Sequence, residues 1–292
     1  MITVALPIWN NKDILWLPLE GLSRQAPCEF WELIVSECPG DNKGLEILTS
    51  YKQRLKDAGC TKISYILNAE RLPLGMKWRQ MAKRAIGDIF LLQASDEYPH
   101  PRRLAVSRAK IGDATWYDCR FSYTYSLNTR TLIFFDKNTH DKWHTGYDMA
   151  IRTEKVWNLP PNTQRRGVDF WLFERCGQSV VRDQGIYAGV ATNGANSISM
   201  SRERHFSKPY APFQSTTKTI DDLGLPAEIV ARLKETTHTP SMEKFKEKYV
   251  KIRFLSNGKE GRVQPEYLDV LEKKNLVEQI DKPIVEPIDI IL

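Results

Sequence analysis

The chain has 292 residues, of which 41% are hydrophobic, and its 42 lysines and arginines outnumber 36 aspartates and glutamates for a net charge of +6. That length supports one large domain with an appendage, and the composition excludes the fibrous, low-complexity and disordered classes. The two signs of charge are interspersed, so the basic excess suits a phosphate-bearing small ligand but lacks the clustering a nucleic-acid surface needs.

Met1 to Pro7 has neither the basic start nor the long apolar stretch of a secretory signal, and no apolar run reaches the roughly 18 residues of a membrane helix. The expectation is a soluble, cytoplasmic chain. Ile2 to Ile8 is apolar and rich in β-branched residues, and Trp9-Asn10-Asn11 stops it, the pattern of a buried parallel strand. A helix is predicted from Lys12 to Gln25, a second strand over Trp31 to Ser36, a helix over Gly44 to Ala58 and a third strand over Lys62 to Leu67. Gly75 to Ala85 reads as a basic amphipathic helix, Gly87-Asp88 breaks it, and Ile89 to Leu92 is a fourth strand. This alternation predicts an α/β fold with a mostly parallel sheet and helices on both faces, where ligands sit at the carboxyl ends of the strands.

Further on, Ala114 to Phe121 and Thr131 to Phe135 read as strands around a hairpin turn at Ser126-Leu127-Asn128-Thr129, and Gly167 to Arg175 as a helix. From Ser207 to Pro240 the chain is rich in Pro, Ser and Thr around one helix, Pro226 to Lys234, and this reads as a linker. The expected organisation is a domain over 1–210, a linker over 211–245 and a small α/β module over 246–292, the module reading as strand, turn, short helix, strand. The 5 cysteines are scattered without a CxxC pair or a His at zinc spacing, and read as reduced thiols.

Pro7-Ile8-Trp9-Asn10, Glu32 to Glu37, Gly75 to Leu92 and Arg165 to Leu172, in this order along the chain, together resemble the motifs of the family 2 glycosyltransferases of the GT-A fold. Pro7-Ile8-Trp9-Asn10 resembles the turn that ends the family's first strand. Glu32-Leu33-Ile34-Val35-Ser36-Glu37 is similar to the strand whose terminal acid holds the nucleotide base, which implies that Glu37 accepts an N–H of the base. Gly75 through Leu92 resembles the family's Gly-led helix and following strand. After that strand the family has Asp-x-Asp, whose carboxylates hold a divalent cation on the donor diphosphate. Here the text is Gln93-Ala94-Ser95-Asp96, so Gln93 and Ser95 replace two family carboxylates and Asp96 supplies the remaining charge.

The resemblance implies a donor site over Pro7, Trp9, Asn10, Glu37, Gly75, Lys77, Arg79, Gln93, Ser95 and Asp96, with manganese or magnesium as the cation and a UDP-sugar as donor. The same departure leaves open that Lys77, Arg79 and Lys83 stabilise the diphosphate directly, or are only the solvated face of their helix. Arg165-Arg166-Gly167-Val168-Asp169 resembles the family's Glu-Asp motif, which makes Asp169 the base for an acceptor hydroxyl in an inverting displacement, or else a helix N-cap. His205 falls where some members of the fold place a late histidine on the metal, so Asp96 and His205 are the metal candidates. Trp116, Tyr117, Tyr123, Tyr125, Trp143 and Trp171 would be a sugar-stacking platform or core.

The stretch Val250 to Leu255 through Gln264-Pro265-Glu266-Tyr267-Leu268 to Leu276-Val277-Glu278 resembles a small module of bacteriophage structural proteins, implying a phage or prophage origin. The acceptor would then be a virion protein, a glycan or modified DNA. The rival reading is a catalytically inactive GT-A domain serving as a binding or assembly module. A nucleotidyltransferase on the same type of fold stays open as a third reading, though the Gly-rich phosphate loop with a following Lys that it would want is not present.

Overall fold

The computed structural model describes residues 1–9, 11–27, 30–39, 43–136, 149–157, 159, 172, 179–183, 190–193, 213–236, 250–254, 260–263, 277–279 and 288–291. At its centre β1 (Ile2–Ile8) runs parallel to β2 (Trp31–Glu37) on one side and β4 (Ile89–Leu92) on the other, and β3 (Cys60–Leu67) runs parallel to β2. All of β2 and β4 is buried, as is β1 except for half-buried Pro7. These strands are mostly apolar because both faces of the sheet are covered.

Alternation along the strands sorts their side chains into two cores. Val4, Leu6, Ile8, Leu33, Val35 and Tyr65 pack with α1 (Trp16–Leu22) and α2 (Gly44–Asp57). Ala5, Ile34, Ile66, Phe90 and Leu92 pack with Trp78, Met81 and Ala82 of α3 (Leu74–Ala82). Each fully buried large side chain contributes about 1.5–3 kcal/mol. Helix α1 begins at Trp16 rather than at Lys12, and Asn11 O closes the preceding turn by accepting from Ile14 and Leu15 N–H. Pro18 sets that start, because its missing N–H and bulky ring are tolerated only in a helix's first turn.

Among the elements that escaped the sequence reading are β5 (Glu97–Tyr98) and α4 (Arg103–Ile111). Pro99 and Pro101 mark a loop, yet Arg103 begins a helix immediately after it, ended by Gly112 at φ +48°. The main sheet continues through β6 (Trp116–Cys119), β9 (Ala150–Arg152) and β10 (Val180–Asp183), with α5 (Thr153–Trp157) following β9. A second sheet has the order β12 (Phe213–Ser215), β8 (Leu132–Asp136), β7 (Phe121–Ser126), β11 (Val190–Asn193), β5. The hairpin turn lies where expected, but its first arm is β7, because Trp116–Cys119 pairs with β10 and β9 in the main sheet.

The stretch read as a linker contributes more than a connection. Strand β12 extends the second sheet, and α6 (Ala227–Glu235) buries Ile229, Val230 and Leu233 in the same core as α1 and α2. Arg130 Nη1 donates to Leu233 O at 2.9 Å, and the Arg232 guanidinium lies 3.9 Å from the Trp16 ring centre. Glu20, buried on α1, ties these helices together by accepting from Arg24, Arg54 and Tyr51, and Arg24 also reaches Glu228 of α6 at 2.7 Å. Burial alone would raise the Glu20 pKa, but hydrogen bonds from Arg54, Arg24 and Tyr51 outweigh it and bring the value down to about 2.

In the C-terminal stretch β13 (Val250–Phe254) pairs antiparallel with β14 (Glu260–Val263), a strand where a turn was expected, and with β15 (Val277–Gln279). The short helix expected over Pro265 to Asn275, and the helix over Gly167 to Arg175 save for buried Leu172, lie outside the described residues. The last strand, β16 (Ile288–Ile291), pairs antiparallel with β3 and covers the edge of the main sheet. Among the described residues no helix is long and apolar enough to cross a membrane.

Candidate functional site

The parallel strands present their carboxyl ends along one edge. Register places Ile8 beside Glu37 and Glu37 beside Leu67. Pro7 and Trp9 at the end of β1 are half-buried, and the Arg71 guanidinium stacks 3.3 Å from the Trp9 ring centre. Asn68, just past β3, fastens this edge. Its backbone N–H and side-chain amide both donate to Glu37 O, the amide also reaches Ser36 Oγ at 2.9 Å, and its carbonyl accepts from Gln80 of α3 at 2.8 Å. Sequence reasoning missed Asn68, and the one signal for it was a polar residue directly after an apolar strand.

A cavity of about 250 Å³ opens at the ends of β2 and β3 against the first turn of α2, lined by Glu37, Cys38, Lys43, Gly44, Tyr65 and Leu67 among others. Gly44 is required there. A Cβ on it would meet Glu37 Oε2 at 2.6 Å and the Tyr65 hydroxyl at 2.8 Å, so both polar atoms pack against this glycine. Glu37 is only 5% exposed and Tyr65 1%. The Tyr65 hydroxyl is buried without a hydrogen-bond partner among the described residues.

Helix α3 starts at Leu74 and puts buried Gly75 in its first turn. The three cations of this helix do not act as a set. Lys77 is buried rather than solvated, and its Nζ donates to Ile8 O at 2.8 Å, bracing the end of β1. Burial pushes its pKa down, and the nearby Cys38 sulfur acts against that shift. Arg79 is half-buried and Lys83 exposed, and at 100° per residue both point well away from Lys77.

Past β4 the polar groups are engaged with one another. Gln93 accepts from Arg103 Nη1 at 2.9 Å, and its amide donates to Ala94 O and Glu97 O. Arg103 pairs with Glu97 at 3.3 Å, both essentially without solvent contact. Ser95 accepts a hydrogen bond from Asn11, and Asp96 is buried beside it in the chain. The side-chain carbonyl of Gln93 is therefore turned to Arg103 instead of standing ready for a cation. Among the described residues no three His, Cys, Asp or Glu side chains gather into a cluster, and His205, the other metal candidate, lies outside them.

Of the aromatic set, Trp116, Tyr117 and Tyr125 are fully buried, and Tyr123 packs on Phe134 with ring centres 5.3 Å apart. Those four are core, not a sugar platform. Asn10, Trp143, Trp171, Asp169 and His205 lie outside the described residues.

No protein-family model matches the chain, and comparison with curated proteins finds no match. Solved structures do match. S. aureus TarS 1-349 in complex with UDP-GlcNAc superposes with a TM-score of 0.54 at 13% identity, over 68% of this chain and 60% of that one. The mannosyltransferase PcManGT from Pyrobaculum calidifontis, in complex with GDP-Man and Mn2+, gives 0.50 at 14%, over 66% and 56%. The fold is that of the GT-A-type glycosyltransferases. The match spans about 60% of the shorter TarS structure and 36% of a longer one, at identities that speak for the fold.

Proposed function

We propose that the chain binds a nucleoside diphosphate sugar along the carboxyl ends of β1 to β4 and transfers the sugar to a hydroxyl acceptor. The observation that carries this reading is the buried Glu37 carboxylate at the cavity where β2 and β3 end, within a GT-A fold. At about 250 Å³ the cavity is smaller than the roughly 300–1,000 Å³ that encloses a drug-sized ligand. It suits a base, with the rest of the donor running past Trp9 and the end of β4. A carboxylate fixed there accepts a base N–H, and the neighbouring structures, solved with UDP-GlcNAc and with GDP-Man, support a donor of this class.

Asp169 is assigned as the base that takes the acceptor's proton while the hydroxyl oxygen attacks the anomeric carbon and the diphosphate leaves, inverting the centre. Calorimetry with UDP-GlcNAc, GDP-mannose and the parent diphosphates tests the donor site; absence of heat with every one of them overturns it. With a donor in hand, transfer to a hydroxyl acceptor should fall about 10³-fold in Asp169→Asn with donor affinity kept, and unchanged turnover removes Asp169 from the mechanism. A second reading, a donor-binding module without turnover, draws on the engagement of Gln93 by Arg103. Donor binding without transfer to any hydroxyl acceptor would favour it.

A further inference from the structure

We infer that Tyr65 is a specificity-determining residue that, with Glu37, selects a donor base carrying an N–H beside a carbonyl. The inference rests on the donor-site reading above and deepens it. A buried hydroxyl with no partner costs stability, and native proteins satisfy nearly all such groups. Tyr65 is 1% exposed, lines the cavity and leaves its hydroxyl unsatisfied among the described residues. It is held in place by its strand: β3 pairs with β2 on one side and β16 on the other, with Tyr65 opposite Val35 and Ile290.

The hydroxyl and Glu37 Oε2 both border Gly44, whose missing side chain leaves them room side by side at the cavity wall. The pair offers an acceptor, the carboxylate, beside a donor, the phenol. Uracil, through N3–H and O4, and guanine, through N1–H and O6, present the complementary edge. Cytosine and adenine present the reverse, a ring-nitrogen lone pair beside an amino group, which sets the lone pair against the carboxylate. A site built to hydrogen-bond one pattern rejects the other strongly, because its own buried groups are then left unpaired.

The test is calorimetric titration of UDP, GDP, CDP and ADP into the full chain and into Tyr65→Phe, with melting curves for both. The expectation is that UDP or GDP binds the wild type at least about tenfold tighter than CDP and ADP. Tyr65→Phe should weaken that preferred diphosphate about fivefold, the loss of one neutral hydrogen bond, and leave CDP and ADP unchanged. Its melting temperature should not fall, because the hydroxyl makes no bond among the described residues. Whichever of UDP and GDP binds tighter names the base. Equal binding of all four by the wild type, or a Tyr65→Phe that weakens all four alike or none, overturns the inference and leaves the donor site standing. No binding of any diphosphate overturns both.

Discussion

The two halves of the strand-end edge use similar residues in opposite ways. Past β4, Gln93, Glu97 and Arg103 bond mainly to one another in a closed, desolvated cluster, with Arg103 Nε left without a partner among the described residues. At the ends of β2 and β3, Glu37 and Tyr65 line a cavity beside Gly44, and the Tyr65 hydroxyl is left unsatisfied among the described residues. The position of polar residues at the ligand edge of a GT-A sheet is therefore not enough to make a binding site. What differs, on the donor-site reading, is whether the polar groups face a cavity or one another.

The largest effect should come from opening the closed half. Arg103→Met leaves Glu97 buried without its cation and Gln93 without its donor, which costs about 4 kcal/mol and lowers Tm by about 10 °C. A drop of a degree or two would show that the cluster is not what holds the β4 end together. Next is the Glu20 cluster, which joins α1, α2 and α6 away from the edge. Its folded pKa of about 2 lies below the ordinary 4.5, so its stabilisation is full above pH 4.5 and is lost as pH falls through about 2. Glu20→Gln should destabilise by about 3 kcal/mol at pH 7, and the gap in Tm to the wild type should narrow steadily from pH 5 to pH 2.5. A gap independent of pH would contradict this assignment. The smallest effect belongs to the open half: Tyr65→Phe should shift folding stability by no more than about 0.5 kcal/mol, with the difference appearing only in ligand binding.

Strands β1, β2 and β4 were legible because strands buried on both faces are written largely in apolar residues, whereas β3, with Thr61 and Leu67 exposed, was legible from its β-branched and aromatic residues and α2 and α3 from helical periodicity. Helix α6 was legible as a helix, but its docking was not, since the Pro, Ser and Thr around it suggest a linker while Ile229, Val230 and Leu233 make a core face. Glu37 was legible through a resemblance in strand order. Tyr65 was not, because alternation along β3 marks it as one more core aromatic, and an unsatisfied hydroxyl exists only once its surroundings are known. Lys77 misleads for a related reason. In sequence it is one of several cations on an amphipathic helix, whereas in the fold its stem is buried and its amine holds Ile8 O.

The most direct test of the donor site is calorimetric titration of UDP and GDP into the wild type and Glu37→Gln, with circular dichroism melts alongside. Replacing the carboxylate by an amide of the same shape should weaken the preferred diphosphate about 30-fold, the loss of a charge-assisted hydrogen bond, while Tm stays within a few degrees. An affinity equal to that of the wild type would contradict the account, because the carboxylate at the cavity would then make no contact with the base.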